Sequence, residues 1–266
     1  MANGAEKMRI KVEVELHYKF RAPGPAILAI EAAGAFGQEI SKATVDFGPV
    51  EHLARVPGEE GIGEKIIIRA VDDLRCTYCA DVVVTRPRPV FERMNAAEVD
   101  AMSGDALRYL LPSRYCQAER FVSFAQQRFG DKTGGAKVLA IREWIEQRLD
   151  YVSGVSDPNT TAADTFLERR GVCRDYAHLM IALCRAAQIP ARIASVFAPR
   201  VDPPDFHAVA EVYLDGTWHL IDPTGMAGAD EMALIAVGRD AVDVAFLTTF
   251  TGAELLTQTV RVTETG

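Results

Sequence analysis

The sequence holds no run approaching the roughly 18 to 20 consecutive apolar residues that a membrane span requires. Met1 to Lys7 lacks the apolar stretch of a secretory leader. No membrane association is therefore expected, and the expected address is the cytoplasm. Cysteine is sparse, five in 266 residues, odd in number and irregular in spacing. A disulfide framework is not indicated, and reduced thiols are the working assumption. Clustered Lys and Arg are also missing: 29 basic against 37 acidic residues give a net charge of -8 and a pI near 5.2. A surface that must neutralise phosphates along a nucleic acid is excluded on that ground. No internal repeat, low-complexity tract or EF-hand pattern occurs.

Cys76 and Cys79 have CxxC spacing, but Cys116 and Cys184 do not form the second pair that a structural zinc site needs. In an extended strand, positions three apart also point to opposite faces. No metal and no cofactor are expected.

What is present reads as two segments. Ile10, Val12, Val14 and Leu16 alternate with charged residues between Arg9 and Lys19, the period-2 pattern of a strand with one buried face. Ala26 to Ile30, Lys65 to Val71 and Thr77 to Thr85 are further β-rich runs separated by Gly and Pro clusters. Arg86-Pro87-Arg88-Pro89 removes two backbone donors in four residues, which suits a linker. The expected division is an antiparallel β domain over 1–88 and a second domain over 89–266. Beyond the linker the period becomes helical, with Phe121 and Phe124, then Val138, Ile141, Trp144 and Ile145, at three- and four-residue spacing. Thr161 followed by Asp164 has the form of a capping box. The run from Cys173 to Ala187 is apolar on nearly every side, as a buried helix requires. Arg192 to Phe197, Ala208 to Leu214 and Thr217 to Ile221 read as strands. Helices first and a sheet later make this an α+β chain.

Cys173 opens the buried helix, where unpaired N–H groups and the helix dipole favour a thiolate. A buried structural thiol is the alternative reading of that cysteine taken alone. Asp215-Gly216 between two strand patterns is a type I′ hairpin signal. Pairing Leu214 with Thr217 places Asp222 opposite Val209 and diagonally beside His207, so an imidazole and a carboxylate can meet. The same register sends His219 to the other face. His178 lies about 140° around the helix from Cys173. Both are read as structural. The expected chemistry has His207 withdrawing the Cys173 proton and Asp222 orienting the ring. The backbone N–H of Cys173 is one oxyanion donor and Tyr151 a candidate second.

Gly171-Val172-Cys173-Arg174-Asp175-Tyr176-Ala177-His178, Ile189-Pro190-Ala191-Arg192, His207-Ala208 and Asp222-Pro223-Thr224 together resemble the bacterial transglutaminase-like family, in the family's order. The resemblance implies a papain-like α+β core, the cysteine on a central helix and the His and Asp on neighbouring strands. It also implies a protein or peptide substrate attacked at an amide bond. Val209 stands where many relatives carry Trp, and hydrolysis is favoured over amine transfer. The competing function is a non-catalytic protein-binding scaffold carrying a relic triad.

Overall fold

The computed structural model describes residues 7–266, so the leader reading of Met1 to Lys7 lies, apart from Lys7, outside the described residues. Six antiparallel strands come first: β1 (Met8–Phe20), β2 (Gly24–Leu28), β3 (Gln38–Asp46), β4 (Leu53–Pro57), β5 (Glu64–Ala70) and β6 (Asp73–Val84). In β1 every second side chain from Ile10 to Phe20 is buried, as the alternation demands. Two strands carry no such alternation: β3 and β4 expose most of their side chains, which is why hydropathy does not reveal them.

The helical segment contains α1 (Gly104–Leu107), α2 (Val122–Phe129), α3 (Gly134–Arg148), the two-residue strand β7 (Asp150–Tyr151), α4 (Ala162–Glu168), the matching β8 (Arg170–Gly171) and α5 (Cys173–Ala186). The capping box opening α4 is complete: Asp164 accepts from the Thr161 N–H at 2.9 Å, and the Thr161 hydroxyl accepts from the Asp164 N–H at 3.4 Å. Such a cap stabilises by roughly 1 kcal/mol. Helix α5 buries every residue from Asp175 to Arg185, so it runs through the middle of the fold.

A four-stranded antiparallel sheet packs on α5, built from β9 (Ala191–Phe197), β10 (His207–Leu214), β11 (Thr217–Ile221) and β12 (Ala233–Gly238) in the order β11-β10-β9-β12. The β10–β11 hairpin pairs Leu214 with Thr217 and Ala210 with Ile221, the register read from Asp215-Gly216. Both turn residues have positive φ, 47° and 79°, as a type I′ turn requires. The chain is therefore an α+β protein.

After the short α6 (Ala241–Val244), the chain returns to the first segment. β13 (Leu247–Thr249) pairs with β2, and β14 (Ala253–Glu264) runs antiparallel to β1 over eleven paired positions. The expected division at 88/89 leaves these strands with the second domain; in the structure they complete the two sheets β14-β1-β6-β3 and β13-β2-β5-β4. β14 escapes sequence reading because it is an edge strand whose residues are mostly exposed. One apolar core also runs through both segments, from Ile10 to Val84 and on to Leu179 and Phe197. The linker is fastened rather than free: the Arg86 guanidinium donates to the carbonyls of Ala229 and Met232 at 3.2 and 3.0 Å. Buried Arg192 of β9 bridges Glu211 of β10 and Glu60 of the first segment at 2.7 and 2.6 Å. These ion pairs tie β9 and β10 to the first segment.

Candidate active site

The local sequence around Cys173 builds its own platform. β7 and β8 form a parallel pair, Tyr151 beside Gly171, and the Val152 N–H continues the ladder to the Gly171 carbonyl at 3.0 Å. Gly171 has no substitute here, since a Cβ at that position would fall 2.7 Å from the Asp175 Cβ. Asp175, buried at the third position of α5, accepts from the Val172 N–H at 2.9 Å and the Ser156 hydroxyl at 2.6 Å. Arg174 adds a bond at 3.3 Å to the other oxygen. Cys173 is left as the first residue of a buried helix, half-buried itself, with its N–H among the donors that no helical carbonyl can reach.

His207 starts β10 and Asp222 follows β11 by one residue, so the hairpin brings them to the same place. The His207 Nε2 lies 2.9 Å from Asp222 Oδ2, both side chains buried. A carboxylate only accepts, so Nε2 carries the proton and Nδ1 is the ring's basic nitrogen. Nδ1 is buried without a hydrogen-bond partner among the described residues. The Cys173 thiol adds to the raising of His207, although no bond of hydrogen-bonding geometry joins the two. Burial disfavours the imidazolium, but the hydrogen bond and charge of Asp222, with Cys173, outweigh it and lift the ring to about 10.

Asp222 is itself saturated. It accepts from His207, from the Thr224 N–H at 2.9 Å and hydroxyl at 2.8 Å, and from the Ala227 N–H at 3.0 Å. Burial works against its charge, yet these donors hold it below the usual carboxylate range. Arg142 of α3 donates to the Asp222 carbonyl at 2.9 Å and pins the turn.

The other expected residues sort by geometry. The β7–β8 pairing sets Tyr151 beside Gly171, two residues before Cys173; burial first, and then the Cys173 charge, push its phenol well above the ordinary tyrosine range. The structure thus brings Cys173, His207, Asp222 and Tyr151 together. His178 stacks on Tyr115 at 5.0 Å and accepts from the Ala241 N–H at 3.1 Å, and burial presses it down to about 3. His219 faces away, 3.2 Å from the Leu214 carbonyl. Both are structural. Cys76 is buried and Cys79 half-exposed on opposite faces of β6, and among the described residues no three His, Cys, Asp or Glu side chains are grouped to hold a metal. Asp175 and Thr224 are the site residues that sequence reading leaves without a role. Their signals are present, an acid three residues after Val172 and a hydroxyl two residues after Asp222.

The family model of the transglutaminase-like superfamily matches residues 122–223, the stretch holding Cys173, His207 and Asp222. The crystal structure of a "putative cysteine protease" from Cytophaga hutchinsonii superposes with a TM-score of 0.90 at 32% identity, covering 98% of this chain and 91% of that one. An uncharacterized protein of Mycobacterium leprae is 30% identical over 146 residues, 51% of this chain and 52% of that protein. The chain thus spans about half the length of the curated relative it matches. Among the described residues no helix is long and apolar enough to cross a membrane. On the full-length structural match and the matching family model together, the chain belongs to the transglutaminase-like superfamily.

Proposed function

We propose that this protein is a thiol-dependent hydrolase of peptide or side-chain amide bonds, acting on a protein or peptide through Cys173, His207 and Asp222. The observation that carries the reading is the buried His207 ring, with Asp222 2.9 Å from Nε2 and Nδ1 left for the thiol at the start of α5. His207 Nδ1 accepts the thiol proton, and Sγ attacks the amide carbon as its C–O π pair moves onto oxygen. The backbone N–H of Cys173 and the Tyr151 hydroxyl are the donors for that oxyanion. Collapse breaks the C–N bond, His207 returns its proton to the departing amine, and a thioester remains. Water, deprotonated by Nδ1, then cleaves the thioester to a carboxylic acid and restores the thiol.

Hydrolysis is favoured because water needs no acceptor site, whereas amine transfer needs a second cleft. Within the expected division, the chemistry belongs to 89–266, and the β domain over 1–88 braces the sheet through Glu60 and Arg192. Five unpaired thiols favour the cytoplasm.

Partitioning of the thioester tests this reading. A p-nitrophenyl ester is expected to release a stoichiometric burst of p-nitrophenol as Cys173 is acylated. Decay of the acyl-enzyme should be unchanged by a high concentration of glycinamide. A decay rate that climbs with glycinamide, with the acylated amide as product, would establish a transferase instead.

A further inference from the structure

On the helical face, α2, α3 and α4 surround an open recess of about 460 Å3 lined by Phe124, Arg128, Trp144, Arg148 and Arg169. None of these residues belongs to the Cys173 site. Three of the five are arginine and none is acidic, in a chain whose net charge is -8. Helical spacing produces the convergence: Phe124 and Arg128, and Trp144 and Arg148, are four residues apart, so each pair shares a face. Phe124 meets Trp144 edge-on at 5.1 Å, and Trp144 stacks with Phe166 at 5.6 Å. Arg169 closes α4 with a left-handed backbone, φ 58°, and its guanidinium lies over Trp144 and Phe166, 4.7 and 4.3 Å from the ring centres.

Other arginines of this chain find carboxylates, as Arg142 does with Glu146, Arg170 with Glu168 and Arg239 with Asp243. Among the described residues, the side chains of Arg128, Arg148 and Arg169 make no hydrogen bond or ion pair, and Arg169 Nη1 is buried without a partner. A buried donor with nothing to donate to is destabilising. So is the charge of Arg148 beside Arg169, which joins burial in lowering the Arg169 pKa. An oxyanion seated between the guanidinium groups removes both penalties at once. Planar forks of N–H donors match phosphate oxygens, and the aromatic floor offers an apolar face to whatever carries the phosphate.

We propose that this recess is a binding site for a phosphate-bearing ligand, held by Arg128, Arg148 and Arg169 above Phe124 and Trp144. Its position gives it a route to the catalytic turn, because Arg148 and Arg169 end the segments that lead into β7 and β8. The Arg169 carbonyl also accepts from the Asp150 N–H at 2.8 Å.

The chain has two tryptophans, so Trp218→Phe leaves Trp144 as the only indole reporter. Its fluorescence is titrated with sodium pyrophosphate, ADP and adenosine at fixed ionic strength. Saturation by ADP or pyrophosphate is expected, with adenosine alone at least about tenfold weaker than ADP. ADP tighter than pyrophosphate identifies the source as a phosphate on a ring; equal affinity identifies free phosphate. In the same background, Arg128→Gln with Arg148→Gln is expected to raise the half-saturating concentration about tenfold or more. Both side chains are exposed, so these changes leave the core intact, and circular dichroism checks it. No saturation below about 10 mM, equal binding of adenosine and ADP, or an unchanged midpoint in the double variant would each overturn the proposal.

Discussion

Asp222→Ala is expected to slow acylation of Cys173 at neutral pH by roughly 10³ to 10⁴-fold, and Cys173→Ala to abolish it. The first effect is large because Asp222 is the buried anion that offsets the burial of His207. Without it, desolvation pushes the ring toward its neutral form, Nε2 loses its acceptor, and nothing fixes which nitrogen faces the thiol. The same pair makes folding stability depend on pH. His207 is raised from 6.5 to about 10 in the folded protein, so its contribution is complete below about 6.5 and drains away as pH rises through about 10. Asp222 is lowered, so its contribution is complete above the ordinary carboxylate range and is lost in acid. Urea midpoints of wild type should therefore fall on the alkaline side. Those of Asp222→Ala should fall much less between pH 6.5 and 10; parallel curves for the two proteins would contradict the coupling.

Asp175→Ala should destabilise the fold by about 1 to 3 kcal/mol, since it strands the half-buried donors of Val172, Ser156 and Arg174 beside the start of α5. Alkylation of Cys173 by iodoacetamide should slow in parallel, because the turn that presents the thiol loses its anchor. Asp175→Asn keeps one acceptor for the Val172 N–H and should recover part of both losses. Urea denaturation with an unchanged m-value reads the stability change. A loss under about 0.5 kcal/mol for Asp175→Ala would mean that the ladder between β7 and β8 holds the turn without it.

These two residues also mark how far the sequence could be read. The meeting of His207 and Asp222 is legible because a two-residue hairpin fixes register by counting, and the observed Leu214–Thr217 pairing is the one the Asp215-Gly216 turn demands. The burial of α5 was legible because it is apolar nearly all round. Tyr151 was readable only as a candidate: its approach to Cys173 comes from a two-residue parallel ladder with Gly171, far too short to leave a periodic signal. Asp175 carried a capping spacing, but its N-cap position is Val172, and a rule built on Ser, Thr, Asp or Asn there passes over it.

The return of β14 to β1 was hidden for a different reason. Its partner face is supplied by residues more than two hundred positions away, and an exposed edge strand needs no buried alternation of its own. The domain division drawn at Arg86 to Pro89 rested on backbone chemistry that does exclude a central strand. Nothing local reveals that Arg86 would anchor to Ala229 and Met232, or that Arg192 would reach Glu60.

The central claim of the proposal is that His207 activates the Cys173 thiol. Its most direct test is the rate of iodoacetamide alkylation at each cysteine as a function of pH, read by mass spectrometry on wild type and His207→Ala. The buried thiols Cys76, Cys116 and Cys184 are each pushed up to about 12 by desolvation and serve as slow internal controls. At about pH 7 Cys173 is expected to be alkylated well ahead of the three buried thiols. His207→Ala should remove that advantage. Equal pH profiles for Cys173 in the two proteins, both rising only in alkali, would contradict the account.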